Sequence, residues 1–141
     1  MRIAALDTNV LLDVLLPDKS FFERSASLIE DAAATGSLVI CDIVYAELSV
    51  HFDSSKECDR FLRENEIRLE ALGREDGFLA GRAWRNYRKA GGKRTRILPD
   101  FFIGAHAQLR ASCLISRDRG FFQSWFPSLK LIDPSQMISR G

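Results

Sequence analysis

The chain predicts an α/β domain: a parallel β-sheet of four to five short strands flanked by helices in three layers. Two observations carry that expectation. Short apolar runs alternate with helical segments along the whole length, the pattern of repeated strand–helix–strand units. Several of those runs are apolar throughout instead of alternating with polar residues, as in Ile3-Ala4-Ala5-Leu6, Leu38-Val39-Ile40-Cys41 and Cys113-Leu114-Ile115, which suits strands covered on both faces. The length of 141 residues fits one domain, expected over residues 1–141, and is enough to bury a core without disulfide staples.

Taken in order, residues 2–6 read as a buried strand, and residues 8–15 as a helix that stops at Pro17. Ser20 and Glu23, three apart, form a capping box for a helix over residues 20–34. Phe22, Ala26, Ile29 and Ala33 line one of its faces, and Gly36 marks its stop. Residues 38–41 form the second strand. Asp42 then caps a helix to residue 51, and Ser54 with Glu57 caps another to residue 64. A weak third strand is expected over residues 67–70, followed by a long helix over 74–90 ended by Gly91-Gly92. After a basic loop at 91–98, Pro99 in a first turn starts a helix to residue 111. Residues 113–115 make the fourth strand, 120–126 a short aromatic helix and 129–132 a last strand. No internal repeat or low-complexity segment interrupts the series.

Composition narrows the class. Hydrophobic residues make up 46% and charged residues 28%, as in ordinary globular proteins. No apolar stretch reaches the length that spans a bilayer, and Met1-Arg2-Ile3 does not open a signal sequence. Cys41, Cys58 and Cys113 are odd in number and lack C-x-x-C spacing, so buried thiols in a reducing cytoplasm are expected. The net charge of +1 hides an asymmetry: residues 82–119 carry ten Lys/Arg and only two acids, Asp100 and Asp118. A basic surround about acidic groups points toward phosphate chemistry.

Four acids stand where buried elements begin or end: Asp7, Glu47, Asp100 and Asp118. Asp7 follows the first strand and Asp118 the fourth; Glu47 lies in the helix after the second strand, and Asp100 in the first turn of the helix before the fourth. In parallel α/β sheets ligands sit beyond the carboxyl ends of the strands, where strand order reverses, so the topology permits all four acids to share one edge. Each also has a plainer role open to it: Asp7 as a helix cap, Glu47 as an exposed helix residue, Asp100 complementing a helix dipole and Asp118 starting a turn. Two like charges 4 Å apart repel by roughly 4 kcal/mol at an effective dielectric near 20, so a shared cluster calls for a cation. Mg²⁺ or Mn²⁺ suits an all-oxygen set. Zinc does not, because His51 and His106 have no partner at ligand spacing.

The segments around these acids resemble the four sequence blocks of a PIN domain: Asp7-Thr8-Asn9-Val10-Leu11-Leu12-Asp13, Ala46-Glu47-Leu48, Leu98-Pro99-Asp100-Phe101-Phe102-Ile103-Gly104-Ala105-His106-Ala107 and Ser116-Arg117-Asp118-Arg119-Gly120-Phe121-Phe122. The resemblance is closest to the small VapC-like ribonuclease toxins of toxin–antitoxin pairs, and it spans essentially the whole chain. It implies a PIN-like fold and a Mg²⁺- or Mn²⁺-dependent endoribonuclease acting on RNA. It places metal coordination and catalysis on Asp7, Glu47, Asp100 and Asp118, with Asn9 and Ser116 as small polar supports. It also implies a homodimer restrained by a cognate antitoxin, in the cytoplasm and without a membrane anchor. One departure is the large Phe101 after Asp100, where many relatives have a smaller residue.

Within that resemblance, Lys93, Arg94 and Arg96 in the basic loop before Asp100 are the candidates for gripping the RNA backbone, since arginine can hold phosphate bidentately. Trp84, Tyr87, Trp125 and Phe126 could stack bases, although helical spacing favours packing, and Phe121-Phe122 reads as core. The alternatives are a degenerate PIN domain that only binds RNA or protein, and a Mg²⁺-dependent phosphatase of haloacid-dehalogenase type. The first expects a missing acid, and none is missing. The second expects an acid two residues after Asp7, where Asn9 stands.

Overall fold

Five strands run side by side, all parallel: β1 (Arg2–Leu6), β2 (Gly36–Ile40), β3 (Ile67–Leu69), β4 (Cys113–Ile115) and β5 (Leu131–Ile132), in the order β3-β2-β1-β4-β5. The computed structural model describes residues 2–93 and 98–136. The helices are α1 (Thr8–Leu15), α2 (Phe22–Thr35), α3 (Asp42–Ser49), α4 (Ser55–Glu64), α5 (Arg74–Lys89), α6 (Leu98–Arg110) and α7 (Arg119–Trp125). The expected element order therefore holds throughout.

Right-handed crossovers dictate the layers. From β1 the chain steps to β2 and β3 in one direction, so α1–α4 cover one face. It then returns past β1 to β4 and β5, which puts α5–α7 on the other. Accordingly α2 packs on β1 and β2, while α6 packs on β1 and β4. The apolar strand centres Ala4, Ala5, Leu6, Leu38, Val39, Ile40, Leu114 and Ile115 are all buried, as a sheet covered on both faces requires. The β1–β2 register pairs Arg2 with Gly36. A Cβ on Gly36 would lie 1.8 Å from the Arg2 carbonyl oxygen, so the residue expected only to stop α2 also opens β2.

Three local readings need correction. Ser20 does not cap α2. The N-cap position is Phe21, which makes no side-chain cap; Asp18 Oδ1 accepts the amides of Ser20 at 2.8 Å and Phe21 at 3.0 Å in the turn before the helix, which starts later, at Phe22. Asp42 is the first residue of α3 and not its cap; its carboxylate reaches across to accept the Leu72 amide at 2.7 Å, tying α3 to the segment after β3. The last strand is shorter than expected because Leu129 turns back, its amide bonding the Phe126 carbonyl. By contrast Ser54 caps α4 as expected, accepting the Glu57 amide at 3.2 Å.

The aromatic residues resolve as packing. Phe101 is fully buried and meets Tyr87 and Phe121 at ring-centroid distances of 5.5 and 5.0 Å, both edge-on. Tyr87 also meets Trp125 edge-on at 5.2 Å. This cluster joins α5, α6 and α7, and it accommodates the large residue after Asp100. It also withdraws Tyr87 and Phe126, both buried, from any base-stacking role. The three cysteines are buried and free. His106 is buried too, its Nε2 2.8 Å from the Glu70 carbonyl oxygen, and burial holds its pKa below the usual histidine value. No helix among the described residues is long and apolar enough to cross a membrane.

Candidate active site

Strand order reverses between β1 and β4, the place where a parallel sheet opens a crevice. The Asp7 amide closes the gap between the two strand ends by donating to the Ile115 carbonyl at 3.0 Å. Asp7 thus begins α1 at the carboxyl end of the central strand, and its carboxylate is buried. Oδ1 accepts the Thr8 amide at 2.7 Å, so Asp7 does act as the cap of α1. Oδ2 accepts the Ser116 hydroxyl at 2.7 Å and lies 3.4 Å from Asn9 Nδ2.

Those bonds do not offset the cost of burial. Desolvation lifts the Asp7 carboxyl to about 6, with the negative charges of Asp100 and Glu47 adding to the rise, and with the Ser116 and Thr8 hydrogen bonds opposing it. Three of the four acids therefore share one electrostatic neighbourhood. Glu47 is exposed, but its Oε1 accepts the Thr8 hydroxyl at 2.7 Å, which turns it toward the start of α1. Asp100 is half-buried in the first turn of α6. Asp118 is half-buried on the loop after β4, and its amide donates to the Ser116 hydroxyl oxygen at 2.9 Å. One serine thereby links the Asp7 carboxylate to the Asp118 backbone. Asn9 ties the same loop to α1, its Oδ1 accepting the Arg117 amide at 3.1 Å.

Two features of this region were not anticipated from the sequence. One is Thr8, the link to Glu47. The other is an ion pair beneath the loop: Arg117 grips Asp13 of α1 side-on, with Nε and Nη2 each 2.9 Å from a carboxylate oxygen. Asp13 is almost wholly buried and also accepts the Ser25 hydroxyl from α2 at 2.7 Å, while the Arg117 guanidinium lies 4.2 Å over the Phe21 ring. The signal was present. An aspartate inside Leu11-Leu12-Asp13-Val14-Leu15 is an acid on an apolar helix, and such an acid needs a buried partner.

The donor set of Asp7, Glu47, Asp100 and Asp118 is all oxygen, which fits a hard divalent cation. Among the described residues no group of three or more His, Cys, Asp or Glu side chains stands close enough together to hold a metal ion. Of the three basic-loop candidates, Lys93 is exposed and its carbonyl accepts the Tyr87 hydroxyl at 2.7 Å; Arg94 and Arg96 lie outside the described residues.

Fold and site together define a class, a parallel α/β domain with a buried aspartate at its topological switch point. Residues 4–124 match the family model of the PIN domain, and the chain belongs to that family. Its fold is similar to chains in several solved structures. One is VapBC2 from Rickettsia felis bound to a DNA fragment from their promoter, at 20% identity and TM-score 0.71 over 93% of this chain and 98% of that chain. Another is VapBC-1 from nontypeable Haemophilus influenzae, at 21% identity and TM-score 0.71 over 95% of this chain and 99% of that one. A third is FitAcB from Neisseria gonorrhoeae, at 18% identity and TM-score 0.70 over 95% and 99%. No curated protein matches the chain.

Proposed function

We propose that this chain is a metal-dependent endoribonuclease, the toxin of a toxin–antitoxin pair, restrained by a cognate antitoxin. The observation that carries the reading is the Asp7 carboxylate, buried at the switch point and burdened by the charges of Asp100 and Glu47. A protein keeps such an unfavourable arrangement where the site needs it. The toxin part rests on PIN family membership and on the likeness to chains of the VapBC2 and FitAcB structures. The RNA substrate, the homodimer and the cytoplasmic location follow from the same resemblance.

Asp7 and Asp100 would hold Mg²⁺ or Mn²⁺, with Glu47 and Asp118 completing the site. A cation held there would supply Lewis acidity for phosphodiester hydrolysis. The chain's own residues prepare that chemistry. Ser116 and the Thr8 amide fix both oxygens of Asp7, Thr8 aims Glu47, and Asn9 keeps the Asp118 loop against α1. The degenerate-domain reading loses ground because all four acids are present. The phosphatase reading loses ground because Asn9, where that chemistry wants an acid, binds the Arg117 amide instead.

The test is cleavage of a single-stranded RNA by the purified chain in Mg²⁺ or Mn²⁺. Asp100→Asn keeps the shape and removes one charge, and it should slow cleavage by roughly 100-fold or more. Cleavage by Asp100→Asn at the native rate would overturn the site.

A further inference from the structure

A polar cleft of about 530 Å³ is lined by Arg117, Asp118, Arg119, Gln123, Asp133 and Ser135 among others. Its link to the site is Asp118, whose amide bonds the same Ser116 hydroxyl that donates to the Asp7 carboxylate. Arg117 is unlike a solvated surface arginine. Asp13 holds its Nε–Nη2 edge, the Phe21 ring supports its face, and its backbone amide is fixed by Asn9, yet its side chain remains 30% exposed. Arginine carries five N–H donors on a rigid plane, and the pair with Asp13 engages one edge of it. Among the described residues no hydrogen bond occupies the Nη1 end. A guanidinium immobilised in this way has already lost most of its rotamer freedom, so a phosphate binding to its remaining donors avoids that cost.

Resting on the ribonuclease reading above, we propose that Arg117 is a phosphate-binding residue. Asp13 and Phe21 hold it in place so that it grips an RNA backbone phosphate lying in this cleft, next to the bond cut at the acidic cluster. Arg119, exposed on the same cleft, adds positive charge but has no such support. The assignment adds a phosphate grip on the loop after β4, directly joined to Asp118, to the one expected on the loop before Asp100. It also gives Asp13 a role: its charge is spent on orienting Arg117, 104 positions further along the chain.

The experiment measures binding of a fluorescein-labelled 2′-O-methyl RNA oligonucleotide in EDTA over a salt series, with thermal melts to confirm folding. Arg117→Ala should weaken binding about tenfold and reduce the slope of log affinity against log salt by about one. Arg117→Lys should restore most of that slope. Asp13→Asn leaves the arginine charge in place, so it should keep the slope while affinity falls by a few-fold and KM rises. A purely structural ion pair gives a different pattern, in which Arg117→Ala and Asp13→Asn lower stability alike and neither changes the slope of the folded protein. That pattern with native binding intact would overturn the proposal and leave the nuclease reading standing. A native chain that neither bound nor cut RNA would overturn both.

Discussion

Asp7 carries the residue-scale physics of this molecule. Its carboxyl stands near 6 in the fold against 3.8 for the free group. Folding therefore disfavours its charged form, and the penalty is full above pH 6. It shrinks as pH falls through 6 and is gone below 3.8, where both states are protonated. At 1.36 kcal/mol per unit the shift corresponds to about 3 kcal/mol. Asp7→Asn should therefore raise the melting temperature of the metal-free protein at pH 7, and the gain over wild type should vanish by pH 4. A neutral-pH midpoint unchanged or lowered by Asp7→Asn in EDTA would contradict the burial cost described here. Added Mg²⁺ or Mn²⁺ should close the same gap from the other side by stabilising wild type selectively.

At this scale the sequence was informative where chemistry and position coincide. Asp7, Asp100 and Glu47 could be picked out because acids beside apolar runs are expensive. Thr8 and Ser25 could not, since a hydroxyl leaves no mark until its partner is known. Asp13 left a mark that helical spacing alone could not connect to Arg117, which is 104 positions away.

Among the elements, the helices and strands came through in type and order because their apolar periods are long enough to read. Their ends did not, because caps depend on competition between neighbouring polar groups. Asp18 holds the amides of Ser20 and Phe21 in a turn, so α2 starts past Ser20, and Asp42 is drawn off by Leu72. The aromatic helices show the same limit. Spacing alone left Tyr87 open to both packing and stacking, and only the contact with Phe101 and Trp125 decides it. A close junction joins α6 to the end of α7, where a Cβ on Gly104 would sit 2.4 Å from the Phe126 ring. Gly104→Ala should destabilise the fold by about 1–3 kcal/mol through overpacking, visible as a lower urea midpoint. Because α6 carries Asp100 and α7 follows Asp118, the same change should also reduce cleavage by the folded fraction.

Over the whole molecule, exposed apolar residues remain to be covered. Leu16 at the end of α1 and Phe22 at the start of α2 are 51% and 38% exposed. By contrast Leu12 and Leu15 pack against the core and Phe52 rests on Phe61 at 5.7 Å. On the toxin reading, expression of the chain alone should arrest growth, and co-expression of an antitoxin encoded beside it should relieve the arrest. The Asp100→Asn chain should be harmless in the same assay. A folded, RNA-cleaving chain that left growth untouched would separate the nuclease from the toxin.

The bond from the Asp7 amide to the Ile115 carbonyl joins the central strand β1 to its neighbour β4 at their ends. A carboxylate mounted on that seam cannot be released by fraying of an outer strand. Its amide proton should consequently be among the last to exchange with deuterium, through global opening alone, so that its exchange free energy matches that of unfolding. The chemistry would then sit on the least yielding part of the sheet while the helices around it breathe. Native-state hydrogen exchange with residue resolution would show Asp7 joining the slowest group, and an Asp7 amide that exchanged with the exposed amides of α4 would disprove it.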